Sequence, residues 1–269
     1  MNTLRSRFQS LFKVAFLSAV ALVIHGSWQS PALAGPIAIQ TPTGLQGGDQ
    51  FRIIFVTPGT TDATSSDIST YDTFVNQQAA GATYYGQTIH WSAIGSTDSI
   101  GAMAHIGVTG APVYTVNDKN GLSQVASSDG TSGLWSGNEL INEPTFDLAG
   151  NLYTGLAWTG TSGVGTEYAT TPANVIVAWG LGTSVAVPGF ENHVEVGSLN
   201  SEVNPYDWVS FGYTFGVQLK STQYQMYGIS DVLTVVPEPS TFLISGLGIF
   251  VVGLARKLRK RNGISPAKV

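Results

Sequence analysis

FRIIFV, residues 51–56, is a short apolar run fenced by Gly47-Gly48 before it and Pro58-Gly59 after it. Six residues are too few for a helix that could bury itself. The β-branched and aromatic content, with glycine and proline punctuation on both sides, predicts a buried strand. Outward from it, residues 60–67 are dense in Thr, Ser and Asp, the residues that cap helix N-termini. Ile68, Tyr71, Phe74/Val75 and Gln78/Ala79 then follow at helical spacing, and Gly81 supplies a stop. A strand followed by an amphipathic helix therefore opens the body. A second, weaker helix is expected within residues 92–103, although glycines interrupt it. Residues 35–48 read as a proline- and glycine-rich lead-in.

From Pro112 onward the pattern turns to strands and polar loops. Val113-Tyr114-Thr115-Val116 runs into Asn117-Asp118-Lys119-Asn120-Gly121, a turn sequence, with residues 122–126 as the hairpin partner. Residues 127–151 form a long loop holding Trp135, Glu139, Asn142, Glu143 and Asp147, and loops of this length in a compact domain are often functional. Residues 152–161 carry the aromatic segment Leu156-Ala157-Trp158-Thr159-Gly160-Thr161, and further strands are expected within 174–179 and 191–196. Period-two alternation is clearest over residues 209–219, where Val209, Phe211, Tyr213, Phe215, Val217 and Leu219 alternate with smaller or polar residues. Residues 224–235 make the last strand of the body. No internal repeat and no shift of composition divides the body in two.

The two ends differ in kind from the body. Arg5, Arg7 and Lys13 precede an apolar stretch over 14–24 and the small-x-small tripeptide Ala32-Leu33-Ala34, so residues 1–34 read as a secretory signal peptide cleaved before Gly35. Signal peptidase and the Sec machinery are the partners this implies. At the other end Pro237-Glu238-Pro239 makes a stiff connector, because proline fixes the backbone and cannot donate to a sheet ladder. Residues 242–255 follow, apolar and uncharged, and as a helix they reach about 21 Å, somewhat short of a ~30 Å hydrocarbon core. Arg256, Lys257, Arg259, Lys260 and Arg261 then make a basic stop, which keeps the end cytoplasmic and puts the body outside. An ordinary buried C-terminal helix is the competing reading, but such a helix should carry a polar face.

This order of motif, apolar helix and basic cluster, over 236–262, resembles the PEP-CTERM sorting signal of exported bacterial proteins. The resemblance implies processing at or near Pro237-Glu238-Pro239 by an exosortase, a membrane transpeptidase-like cysteine protease. Release or surface attachment in a Gram-negative cell follows, after a transient single-pass intermediate in the inner membrane. The tail 262–269 runs further past the basic cluster than the pattern asks.

Charge and composition narrow what the body, residues 35–235, can do. Charged residues make up 11% of the chain and cysteine is absent, which excludes disulfides, thiol catalysis and cysteine-ligated zinc. The chain's net charge of −5 conceals an asymmetry, since Arg52, Lys119 and Lys220 are the body's only Lys and Arg residues against 16 acids. With no basic stripe to meet a phosphate backbone, nucleic acid is excluded as a partner.

Catalytic signatures are thin. There is no Gly-x-Ser-x-Gly elbow, Walker loop or His-Glu-x-x-His, and Gly160-Thr161-Ser162-Gly163-Val164-Gly165 reads as a turn. His90, His105 and His193 are scattered singly. Residues 117–121 read as a tight turn in preference to a calcium loop, because EF-hand spacing would place Val116 and Ser127 at ligand positions. The chain is therefore expected to be no enzyme and to need no cofactor, with calcium left open.

The order of the body's elements also resembles a cysteine-free C-type-lectin-like domain. The matching residues are the strand over 51–57, the helix over 68–80, Leu134-Trp135-Ser136-Gly137, Ala157-Trp158-Thr159-Gly160-Thr161 and Tyr227-Gly228-Ile229-Ser230. That resemblance implies an α+β fold with a small antiparallel sheet core, one or two helices and long loops, followed by the C-terminal apolar helix. An all-β sandwich is the alternative. The superfamily's calcium-and-sugar site does not transfer, because Glu143-Pro144-Thr145 has threonine where a carboxamide is required.

Most of the body's tryptophans are expected in the core, with Trp135, set in the long loop, the first to line a binding surface. Trp135, Glu143 and Trp158 are the candidate ligand-binding residues. The expected function is that of an exported, non-catalytic cell-surface or matrix protein associated with extracellular polysaccharide. A secreted glycan hydrolase using a carboxylate pair and a calcium-organised structural component are the alternatives.

Overall fold

The computed structural model describes residues 37–118, 121–137, 140–166, 169–170, 177–184, 192–199, 207–210 and 217–237, all within the unit Pro36–Val269. FRIIFV forms most of strand β2, Gln50–Val56, whose residues are buried from Phe51 onward. Its apolar run has a topological cause, because β2 has neighbours along both edges. Arg52–Ile54 pair parallel with Val113–Thr115 of β6 (Val113–Val116). Ile54–Val56 pair antiparallel with β13 (Gln225–Ser230), and Gln50 and Phe51 pair with β14 (Leu233–Thr234).

The strand is covered on both faces as well. Phe51, Ile53 and Phe55 join a core with Tyr71, Val75, Trp91 and Trp158, while Ile54 and Val56 join another with Trp135, Trp208 and Tyr227. A strand buried on both faces must be apolar at odd and even positions alike.

Around this centre lies a mixed sheet of nine strands. Its main path runs β12 (Val217–Leu219), β11 (His193–Ser198), β8 (Leu156–Trp158), β13, β2, β6 and β7 (Leu122–Ala126), with β14 added to β2 and β5 (Trp91–Ala93) added to β13. The β6–β7 hairpin expected from the Asn-Asp-Lys-Asn-Gly turn is present. β1 (Ile37–Ala38), β3 (Ala82–Tyr84) and β4 (Gln87–Thr88) make a small separate sheet, and β9 (Ala169–Thr170) pairs with β10 (Val177–Ala178).

The first helix, α1, spans Ile68–Gln78. Asp67 caps it by accepting from Ser69 N, and hydrogen bonding from Ser69 holds the Asp67 carboxyl below its usual value. Gly81, at φ +88°, turns the chain out of the helix. α1 also shields a sheet edge. Asn76 donates to Trp91 O (2.5 Å) and accepts from Trp91 N (3.1 Å), while Asp72 accepts from Ala93 N (2.8 Å). Side chains thus stand where a further strand would pair with β5, an edge otherwise open to intermolecular pairing. The helix sits close because Gly228 of β13 has no Cβ, which would run into Phe55 and Val75.

The α+β, C-type-lectin-like expectation is corrected by this arrangement. Among the described residues there are two helices, of 11 and 5 residues, against fourteen strands, so the body is predominantly β, and all-β is the class that fits. The sheet is also not antiparallel throughout, since β2–β6 and β8–β13 are parallel pairs. The second helix expected within 92–103 is replaced by β5, drawn onto β13, and by a short α2 over Ala102–Ile106. Of the alternating segment 209–219, residues 211–216 lie outside the described residues, Val217–Leu219 form β12 and Val209 stands in a turn.

Arg52, the one charge in β2, is 2% exposed and has four acceptors. It donates to Ser230 O (2.7 Å), to Gly107 O (2.9 Å) and Ile106 O (3.0 Å) at the end of α2, and to Asp129 (3.1 Å). Asp129 also accepts from Thr109 N, Thr109 Oγ1 (2.8 Å) and Gly110 N (2.7 Å). The pair staples the root of the 127–151 loop to the central strands.

Candidate functional site

The β6–β7 hairpin and the far part of the long loop enclose an open cleft of about 390 Å³. β6 contributes Thr115 and Val116, the hairpin turn Asn117 and Asp118, and β7 Ser123. The facing wall carries Asn142, Glu143, Thr145, Phe146, Leu152 and Thr154. The turn is preorganised, with Asn117 accepting from Gly121 N (2.9 Å) and donating to Ser123 Oγ (3.1 Å). The opposite wall is tied to the hairpin, since Asn142 donates to Gln124 O (2.7 Å) and Ile141 N to Val125 O (2.9 Å). Farther along the loop, Asp147 accepts from Ala149 N and Asn151 N and holds the turn that leads to Leu152.

The lining is polar with apolar patches. Two carboxylates, two carboxamides and four hydroxyls share it with Phe146 and an exposed Leu152. Thr115 lies beneath the floor, 2% exposed, and its Oγ1 has no hydrogen-bond partner. A buried hydroxyl without a partner is costly to the fold. Glu143 stands near Tyr227, whose hydroxyl burial pushes well above its ordinary titration range, with Glu143's charge adding to the effect.

Of the candidate ligand residues, the cleft gathers Glu143 alone. Trp135 and Trp158 are interior side chains, 1% and 0% exposed. Trp135 packs on Trp208 (5.6 Å between rings), which in turn meets Tyr227 edge-on. Trp158 donates to Thr61 O (2.9 Å) and meets the edge of Tyr224. Neither presents a face to a ligand, because each fills one of the sheet's two cores. The sequence reading missed Thr115 and Asn142 as cleft residues and took Asn117 and Asp118 as parts of a turn, which they also are. Val113-Tyr114-Thr115-Val116 reads as plain strand, so only the packing exposes Thr115's missing partner.

His90, His105 and His193 are not gathered. His105 pairs with Asp72 (2.9 Å) beside α1. Among the described residues no group of three or more histidines and acids is placed to hold a metal ion.

At the C-terminal end of the body, Pro237 is described and exposed, whereas Glu238, Pro239 and the basic cluster lie outside the described residues, as do Ala32, Ala34 and Gly35. Among the described residues no helix is long and apolar enough to cross a membrane, and the apolar segment 242–255 lies outside them. Residues 235–260 match the family model of the PEP-CTERM protein-sorting motif.

The chain carries a PEP-CTERM sorting signal. It is accordingly an exported protein sorted by an exosortase toward the cell surface. The match begins at Val235, the buried residue that follows β14, so the sorting signal overlaps the last described residues of the body. No curated protein matches the chain.

Proposed function

We propose that the exported protein is a non-catalytic surface or matrix component that holds an extracellular saccharide in the cleft between the β6–β7 hairpin and the 142–154 wall. One observation carries the reading. Amide, hydroxyl and carboxylate groups converge in a single open cleft beside Phe146 and Leu152, which suits sugar rings with hydroxylated rims and apolar C–H faces. Asp118 and Glu143 add a charge preference. With 16 acids and three cations in residues 35–235, the body repels polyanions, so its ligand is a neutral or amine-bearing saccharide. Sec export, signal-peptide cleavage and a transient tail-anchored intermediate deliver it.

The test is binding of the exported protein to the producer's own exopolysaccharide, to a neutral glucan, to chitosan oligosaccharides and to a uronic-acid polymer. Binding to the neutral or amine-bearing polymers is expected, with Glu143→Gln weakening it about tenfold, the size of a hydrogen bond to a charged group. Preference for the uronic-acid polymer, or no binding to any of the four, overturns the reading. Asp118 and Glu143 sharing one cleft also favours the carboxylate-pair hydrolase as the second reading, and cleavage of a bound glycan that both Asp118→Asn and Glu143→Gln abolish would establish it.

A further inference from the structure

The β3–β4 hairpin turns on two residues, Tyr85 and Gly86, with Tyr84 and Gln87 still paired across it. Both turn residues have positive φ, 47° and 76°, as the right-handed twist of a hairpin prefers. The first position of such a turn favours asparagine or aspartate, whose short polar side chains tolerate a left-handed backbone. A bulky ring there is strained, and strain of this kind clusters where a side chain serves a ligand. Tyr85, 55% exposed, is also the one aromatic among the large apolar side chains exposed in the described residues. Its ring is braced. It meets the Tyr84 ring at 4.8 Å and 73°, and Tyr84 is itself buried against Phe51 (5.3 Å). Thr41 Oγ1 lies 3.0 Å from the Tyr84 hydroxyl and 3.5 Å from that of Tyr85.

Tyr85 lines a groove of about 300 Å³ together with Gln87 and Thr88 of the hairpin and with Leu233, Thr234 and Val236 from β14 and its end. The β14 side is fixed as firmly as the ring. Leu233 and Thr234 pair with Phe51 and Gln50, and Val235 exchanges backbone bonds with Asp49 O and Gly48 N (2.8 Å each). Pro237 packs on Gly47, where a Cβ would stand 2.7 Å from Pro237 Cγ. Although the body carries 16 acids, no charged residue lines this groove.

We infer that the groove is a second saccharide site, taking an uncharged sugar whose C–H face stacks on Tyr85 while its hydroxyls meet Gln87, Thr88 and Thr234. A rigid aromatic ring flanked by amide and hydroxyl groups suits a pyranose, which has an apolar face and a polar rim. Because the ring and both walls are held before binding, little freedom is lost when the sugar arrives. The site shares its ligand class with the cleft but none of its residues. The two also lie along different edges of β2, since Leu233 pairs with Phe51 on one and Thr115 of β6 pairs with Ile54 on the other. One body thus offers a polymer two points of attachment.

The experiment is calorimetric titration of the exported protein with a short β-linked neutral gluco-oligosaccharide, using the parent, Tyr85→Asn, Tyr85→Phe, Thr234→Arg and Glu143→Gln, with Tm measured for each. Tyr85→Asn should weaken this site about tenfold, the loss of one stacked ring, while Tm holds or rises because asparagine suits the turn. Tyr85→Phe keeps the ring and should stay within about threefold of the parent. Thr234→Arg crowds the groove from β14 without touching the turn, so it should weaken the site even if Tyr85→Asn disturbs the hairpin. Unchanged binding in both Tyr85→Asn and Thr234→Arg, or a loss in Tyr85→Asn that Tyr85→Phe shares in full, overturns the site. A single site lost only in Glu143→Gln overturns it and leaves the cleft. A single site lost in Tyr85→Asn and Thr234→Arg, and kept in Glu143→Gln, supports it and overturns the cleft.

Discussion

Replacing Asp129 by alanine should be among the most damaging single substitutions available in this protein. The carboxylate is fully buried and receives bonds from Arg52 Nη1 (3.1 Å), Thr109 N, Thr109 Oγ1 (2.8 Å) and Gly110 N (2.7 Å). Alanine leaves the Arg52 guanidinium, itself 2% exposed, without its counter-charge, and removes the acceptor for two backbone amides. Breaking a buried pair by deleting one partner costs about 3–5 kcal/mol. For a body of this size each kcal/mol lowers Tm by roughly 2–4 °C, so a fall of about 6–20 °C is expected. Asp129→Asn keeps an oxygen for the amides and should cost about 1–3 kcal/mol.

Calorimetric or denaturant unfolding of Asp129→Asn, Arg52→Met and the double variant would complete the cycle. The double variant should be more stable than the two single losses predict, by about 0.5–3 kcal/mol. Strict additivity, or an Asp129→Ala loss below about 1 kcal/mol, would refute the idea that this pair is a buried, coupled staple. Because Asp129 roots the loop bearing Asn142 and Glu143, saccharide binding should weaken in Asp129→Asn as well.

Thr115→Val removes a buried hydroxyl that has no partner, so it should raise stability by about 1 kcal/mol in thermal unfolding while weakening saccharide binding; a drop in Tm would show that the hydroxyl is satisfied. Gly228→Ala drives a Cβ into Phe55 and Val75 and should cost about 1–3 kcal/mol, measured by urea unfolding. Burial raises the titration of Tyr71 and Tyr227 in the folded state, so below the ordinary tyrosine range both states are neutral and nothing is lost. Above about pH 10 the unfolded chain sheds these protons first, and stability should fall as pH rises. A pH titration of Tm in which Tyr227→Phe is as alkali-sensitive as the parent would count against Tyr227's part in that loss.

Legibility in the sequence followed the range of the interactions involved. The helix at Ile68–Gln78 was readable because its cap at Asp67, its apolar spacing and its stop at Gly81 all lie within fifteen residues. The β6–β7 hairpin was readable for the same reason, its turn residues standing between its strands. The region around Trp91 was misread because its apolar spacing suits a short helix as well as a strand. What decided the matter was a partner more than a hundred residues away, Gly228–Ser230 of β13. The tryptophans show the same limit. Trp135 sits in a long polar loop, and nothing nearby in sequence indicates that Trp208 and the far face of the sheet will cover it.

The sequence by itself determined where this protein goes. Sorting signals are read as extended or helical segments by cellular machinery, so order, charge and hydropathy along the chain are all the information they need, and the PEP-CTERM match over residues 235–260 bears that out. It also determined the helix and the central strand, whose signals are local. Tertiary structure alone decided the mixed, predominantly β sheet, because parallel pairings such as β2 with β6 join residues that no periodicity relates. It likewise decided which polar groups share a cleft, which tryptophans are lost to the core, and that Pro237 rests on Gly47. Those are distances between remote residues, set by packing and hydrogen bonding across the sheet.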